Sequence, residues 1–224
     1  MPFESALRDG DPAHFELIET MRWEPALGFV RVERHLARLA GSAAALGFLF
    51  DRPRVLQALA NLGHPETSMR VRLTLSREGI VDLTAQPFVP LHAGTIWTLR
   101  IAHQRLNSSD ALLRHKTSRR DVYARARAEY SAQEADEVIL LNERGELCEG
   151  TITNILVDLG DDVLVTPPLE SGLLPGILRG EMLEQGKARE ALIRPEQLSS
   201  ATAIYVGNSL RGCIPAKLAT SHAD

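Results

Sequence analysis

The sequence predicts an α+β protein in two parts, and three observations predict it. The order of elements opens as strand, two helices and then three strands in succession, which is not the alternation of a parallel α/β sheet. Met69–Ser76 sets Val71, Leu73 and Leu75 against Arg70, Arg72 and Thr74, the period-two pattern of a half-buried strand. A polar stretch, Gln104–Asp110, then interrupts the pattern and is expected to connect a unit spanning 1–108 to one spanning 109–224.

In order, Phe15–Trp23 reads as a strand, with Phe15, Leu17 and Met21 at even spacings. Arg34–Gly47 reads as a helix with Leu36, Leu39, Ala40, Ala43 and Ala44 on one face and Gly47 as its stop. Asp51 is expected to cap a second helix, with Pro53 in its first turn and Val55, Leu56, Leu59 and Leu62 turned inward. Ile80–Phe88 and Thr95–Ala102 complete the strands of the first part. Beyond the break, Arg119–Ala132 is expected to be helical. Glu137–Asn142 and Thr153–Leu159 read as apolar strands around the Glu143–Glu146 turn. Val163–Thr166 is expected to pair with the strand before it, Ile177–Glu184 to be a helix, and Ala203–Val206 a late strand.

Composition narrows the partners. A hydrophobic content of 44% with 24% charged residues suits a water-soluble globular protein, and a formal charge of -4 offers nothing to nucleic acid or an anionic membrane. No apolar run reaches the roughly 20 residues that span a bilayer. Met1–Ser5 lacks signal-peptide character. Two cysteines, Cys148 and Cys213, make neither a disulfide framework nor a metal cluster, so no metal and a cytoplasmic location are expected.

The second half carries the chemistry. Lys116 is one of three lysines, with Lys187 and Lys217, in a chain that otherwise uses arginine. Arginine stays protonated, whereas a lysine among cations or in a buried place can become the neutral amine that attacks a carbonyl. Alone, it reads first as part of a solvated basic loop. After it come Cys148–Asn154, with Glu149 before an apolar strand, and Ser171–Arg179, a glycine-containing loop entering a helix. Such a helix entrance offers free N–H groups to an anion. Tyr205–Arg211, with Asn208 in a turn, completes the series.

In this order the motifs resemble the class IV aminotransferases, the pyridoxal-phosphate enzymes of fold type IV. The resemblance runs from about Phe15 to the C-terminus and rests on Lys116, the Glu-Gly-x-x-x-Asn box from Glu149, and the Leu-Pro-Gly-x-x-Arg loop from Leu174. It implies a small N-terminal α/β domain and a larger, β-barrel-like C-terminal domain with helices. Pyridoxal 5'-phosphate is the implied cofactor. Lys116 matches the Schiff-base lysine and Glu149 the carboxylate at the pyridine nitrogen. Arg38 matches the phosphate-gripping arginine, and Ile177 and Leu178 the donors of backbone N–H groups. Thr153, Asn154, Asn208 and Ser209 fall at further cofactor contacts.

Phe15–Thr20 aligns with a family motif that normally follows more residues, so the family's first strand pair is expected to be missing. Leu178 stands where branched-chain transaminases carry Thr, and Asn208-Ser209-Leu210 looks like the Asn-Ala-Leu of aminodeoxychorismate lyase. Together these favour a lyase that releases 4-aminobenzoate and pyruvate, with a class IV transaminase and an inactive cofactor-binding homologue as alternatives. Lys116 is then the base and Thr20 a candidate proton donor to the leaving group. Arg211 and Arg100, with His103 beside the latter, are candidates for substrate carboxylates. A small-molecule amino substrate and a homodimer are implied.

Overall fold

The computed structural model describes residues 15–219, so Met1–Ser5 lies outside the described residues. Strand β1 (Leu17–Glu24) pairs with the short β2 (Gly28–Phe29). The helices α1 (Val32–Leu46) and α2 (Arg52–Ala60) follow, then β3 (Met69–Leu75) and β4 (Val81–Pro87). The four strands form an antiparallel sheet in the order β2-β1-β3-β4. One face of that sheet packs Leu17, Met21, Leu73 and Leu75 against Leu36, Leu39, Val55 and Leu59 of the two helices.

Alternation dictates the other face. Thr20 lies opposite Arg72, and Arg22 opposite Arg70, on the side away from the helices. Gly47 ends α1 in the left-handed conformation at φ 70, and the Asp51 side chain accepts from Arg54 N–H at the start of α2. Two inward assignments fail: Leu56 is 39% exposed and Ala44 is exposed. Each helix contributes a narrower apolar stripe than its run of leucines and alanines suggested.

The chain changes sheet between Pro87 and Trp97, ahead of the expected division at 108. Strand β5 (Trp97–Leu106) runs through part of the polar stretch expected to be a connection, and it already belongs to the second sheet. There follow α3 (Asp121–Ala128), β6 (Glu137–Asn142), β7 (Leu147–Gly150), β8 (Asn154–Asp158) and β9 (Leu164–Thr166). Then come α4 (Ile177–Glu184), β10 (Ala188–Glu190), α5 (Pro195–Ser199), β11 (Ala203–Asn208) and β12 (Gly212–Leu218).

The strands order as β10-β9-β8-β11-β12-β5-β6-β7, and a further β8–β7 pairing closes the sheet on itself. This is the barrel-like arrangement. Its interior holds Leu99, Ile139, Leu147, Ile155, Val157 and Val206, while α3 covers Val138, Leu140 and Cys148 on the outside.

Candidate active site

A cavity of about 620 Å³ opens between the two sheets. The Lys116 segment is drawn to it by backbone pairing: Ile18 N–H donates to the Lys116 carbonyl at 2.8 Å, and Ser118 N–H donates to Glu16 O at 2.9 Å. A loop of the large unit thus extends the small sheet beside β1, and the half-buried Lys116 lines the cavity. Burial, then the positive charges of Arg120 and Arg38, push its amine down to about 7, against the opposing pull of Glu19 and Glu149.

Glu149, on β7, lines the same cavity and is pushed the other way. Burial raises its carboxyl to about 7, although hydrogen bonds from Tyr123 and the Leu174 N–H, and the charges of Arg120 and Lys116, all act to lower it. Tyr123 Oη donates to Glu149 Oε1 at 2.6 Å, and Asn154 Nδ2 to Oε2 at 3.4 Å. Asn154 also donates to Leu174 O at 3.1 Å, tying β8 to the loop before α4. That contact requires Gly176, because a Cβ there would stand 1.8 Å from Asn154 Oδ1.

The same loop prepares an anion site. Gly176 caps α4 without a side chain, and the N–H groups of Ile177 and Leu178 have no protein partner among the described residues. Arg38 reaches this place from α1, its Nη1 donating to Pro175 O at 3.2 Å. Its Nε and Nη2 donate to Glu19 at 2.9 and 2.7 Å, which leaves two of its five N–H groups for a ligand. Glu19 is itself fixed by His35 Nδ1 at 2.6 Å. Desolvation raises the Glu19 carboxyl, but the Arg38 charge and the His35 and Arg38 hydrogen bonds outweigh it and hold it at about 2.

The remaining sequence-predicted residues divide. Thr20, Thr153, Asn208, Ser209 and Arg211 line the cavity. The Thr153 hydroxyl is already used, donating to Glu137 Oε2 at 2.8 Å. The Asn208 side chain makes a turn, accepting from Leu210 and Arg211 N–H and donating to Ile152 O at 3.1 Å. Leu178 turns its side chain onto Gly207, where a Cβ would lie 2.9 Å from Leu178 Cδ2, so it offers the cavity only its N–H.

Arg100 is not brought to the cavity. It lies on β5 with its guanidinium 5.8 Å from the Tyr130 ring centre. His103 is excluded too: its side chain is 90% exposed and pairs with Glu129.

Sequence reasoning missed Tyr123, Glu19, His35, Arg70 and Arg72, and saw Arg120 only as one of the arginines beside Lys116. The alternation of β3 was the available signal for Arg70 and Arg72, since whatever opposes Val71 and Leu73 must face the other unit. Burial lowers the pKa of Arg72, with Glu16 opposing and Arg120 and Arg70 assisting; burial and then Arg70 lower that of Arg211.

An amine that is half neutral near pH 7, a carboxyl able to hold or release a proton at the same pH, and an arginine beside free helix amides suit a phosphorylated aldehyde with a ring nitrogen. This is the equipment of the pyridoxal-phosphate enzymes of fold type IV. The family model described as amino-transferase class IV matches residues 16–219, and the chain belongs to that family of pyridoxal-phosphate-dependent enzymes.

A Schizosaccharomyces pombe protein named "Putative aminodeoxychorismate lyase" is 28% identical over 183 residues, covering 79% of each chain. The Saccharomyces cerevisiae aminodeoxychorismate lyase is 31% identical over 143 residues, 56% of this chain and 38% of that one. Among solved structures, a Mesorhizobium loti "Putative amino-acid aminotransferase" is 57% identical, with a TM-score of 0.90 over 92% of this chain and 100% of that one.

Proposed function

We propose that the chain is a 4-amino-4-deoxychorismate lyase, which releases pyruvate and leaves 4-aminobenzoate. The observation that carries the reading is the arginine wall of the cavity. Arg70, Arg72 and Arg211 all line it, and among the described residues none makes a close ion pair with a carboxylate, Glu16 acting on Arg72 only at longer range. Arg72 and Arg211 are half-buried, and Arg70, exposed and donating to Gln86 Oε1 at 3.2 Å, adds its charge at the rim; neighbouring cations repel one another, a cost that a bound anion removes. The proposed substrate brings two carboxylates, whereas an aliphatic amino acid brings one.

The residues present fit the cofactor as follows. Arg38 and the N–H groups of Ile177 and Leu178 would hold the phosphate, and Glu149 would hold a proton at the ring nitrogen. When bound, pyridoxal phosphate supplies an electron sink for negative charge at the substrate carbon. Lys116, with its amine near 7, takes the proton from that carbon as general base. Thr20, facing the cavity opposite Arg72 in register, hands a proton to the departing pyruvate. Tyr123 keeps the Glu149 carboxyl oriented.

A second reading, an amino-acid transaminase, is favoured by the 57% identity to the Mesorhizobium loti protein of that name. It uses the same lysine and carboxylate and diverges after proton removal: a transaminase returns the proton and passes the amino group to an acceptor, whereas the lyase breaks the bond to pyruvate and leaves an aromatic ring. Purified protein given 4-amino-4-deoxychorismate is expected to yield 4-aminobenzoate and pyruvate in equal amounts. Glutamate formed from 2-oxoglutarate and an amino acid, without pyruvate release, selects the second reading. Neither product, with the cofactor bound, leaves an inactive homologue.

The reading carries a homodimer with it, supported by the exposed apolar Ile152 at the cavity edge. A cytoplasmic location is supported by the free thiols of Cys148 and Cys213.

A further inference from the structure

Glu137 opens β6 and is wholly buried, yet no positive side chain pairs with it among the described residues. Hydrogen bonds replace the missing cation, four from one short turn and one from the next residue of β6. Its Oε1 accepts from Val138 N–H at 2.8 Å, Thr151 N–H at 3.0 Å and Thr151 Oγ1 at 2.6 Å. Its Oε2 accepts from Ile152 N–H at 3.1 Å and Thr153 Oγ1 at 2.8 Å. Five donors around one carboxylate use essentially all its acceptor sites, and hydrogen bonds to a charged acceptor are the strong kind. The turn closes so tightly that a Cβ on Gly150 would lie 2.8 Å from the Glu137 carboxyl carbon.

Two N–H groups of the turn, those of Thr151 and Ile152, face Glu137; Gly150 N–H closes the turn onto the Thr153 carbonyl at 2.7 Å, and the carbonyls of Thr151 and Ile152 meet residues that line the cavity. The Thr151 carbonyl accepts from Arg120 Nη2, and the Ile152 carbonyl accepts from Asn208 Nδ2 at 3.1 Å. Glu149 is the residue immediately before the turn, and Asn154 the residue immediately after it. We infer that Glu137 is a positioning residue: one buried carboxylate that fixes the 150–153 turn and, through it, sets Glu149, Arg120 and Asn208 around the cofactor site. It touches neither cofactor nor substrate, and the inference holds for a lyase and a transaminase alike.

Glu137→Gln is the test, because its amide turns a donor toward a nest of donors. Cofactor affinity, measured by titrating the apoprotein with pyridoxal phosphate, is expected to weaken on the order of tenfold. The pH midpoint of the bound cofactor's visible absorbance is expected to shift, since Glu149 and Arg120 move relative to it. A role in stability alone would lower the melting temperature and leave that midpoint where it was.

In a double-mutant cycle with Asn208→Ala, the two losses of affinity are expected to combine to less than their sum, because both act through one turn. Additive losses, or an unshifted midpoint, overturn the inference. Should Glu137→Gln not fold, Thr153→Val carries the same readouts with one donor removed. Thr153→Ser must then restore them, and failure to do so overturns the inference equally.

Discussion

The two walls of the cavity are built on opposite terms. The wall from the closed sheet satisfies itself: Glu149 has Tyr123 and Asn154, the 150–153 turn has Glu137, and Asn208 has the Ile152 carbonyl. The wall from the small sheet leaves Arg70 and Arg72 without a close ion pair among the described residues, and Arg211, in the β11–β12 turn, is the one exception on the closed-sheet side that joins them. One wall is organised before any ligand arrives, as electrostatic preorganisation requires. The other holds charge in reserve for whatever enters. The contrast separates two proposed roles: cofactor chemistry in the self-satisfied wall, substrate choice at the arginines without close ion pairs.

The most damaging way to break this division is at Lys116. Lys116→Arg keeps the charge but cannot give a neutral amine, so turnover should fall by more than about 10³-fold while the fold stays intact by circular dichroism. Glu149→Gln comes next. It leaves the cavity shape but cannot hold a charge at the ring nitrogen, and a loss on the order of 10²-fold in kcat is expected, with KM little changed.

Glu19 tests how the small unit holds Arg38. Its folded carboxyl sits at about 2 against an ordinary 4.5, so the unfolded chain binds the extra proton first as pH falls. The Glu19 contribution is therefore complete above pH 4.5 and disappears as pH drops through about 2. Its size is on the order of 3 kcal/mol. Glu19→Gln should flatten that part of the stability curve in denaturant titrations at several acid pH values.

The smallest effect sharpens the comparison most. Arg72→Ala and Arg211→Ala should each raise KM for the dicarboxylate substrate by about tenfold, the worth of one charged hydrogen bond. Affinity for pyridoxal phosphate should stay as it was. If the cofactor affinity falls with them, the two walls are not separate.

Much of this was legible in the sequence where a residue's neighbours in the chain are also its neighbours in space. The Asp51 cap, the Gly47 stop and the Ile177–Glu184 helix all appear where local rules put them. Strand β7 was missed because four residues, two of them Glu149 and Gly150, carry no readable alternation. β12 was hidden by Pro215, which removes a ladder donor and reads as a breaker.

The lowered amine of Lys116 was expected from the arginines beside it. The structure assigns the effect first to burial and then to Arg120 and Arg38, the latter from a distant helix. Arg70 and Arg72 were visible as the polar half of an alternation, but only the packing of one unit on the other turns that half into a cavity wall. Arg100 misled for the same reason. A strand arginine gives no sign of which side its sheet will present, and β5 presents it to Tyr130.

Selection of a dicarboxylate substrate by the arginine wall, with release of pyruvate, is the proposal on which the substrate predictions depend. It is tested most directly by giving the holoenzyme 4-amino-4-deoxychorismate and following both products against Arg72→Ala. 4-Aminobenzoate and pyruvate are expected in equal amounts, with KM raised in the variant. Glutamate from an amino acid and 2-oxoglutarate, with no pyruvate from 4-amino-4-deoxychorismate, would contradict it.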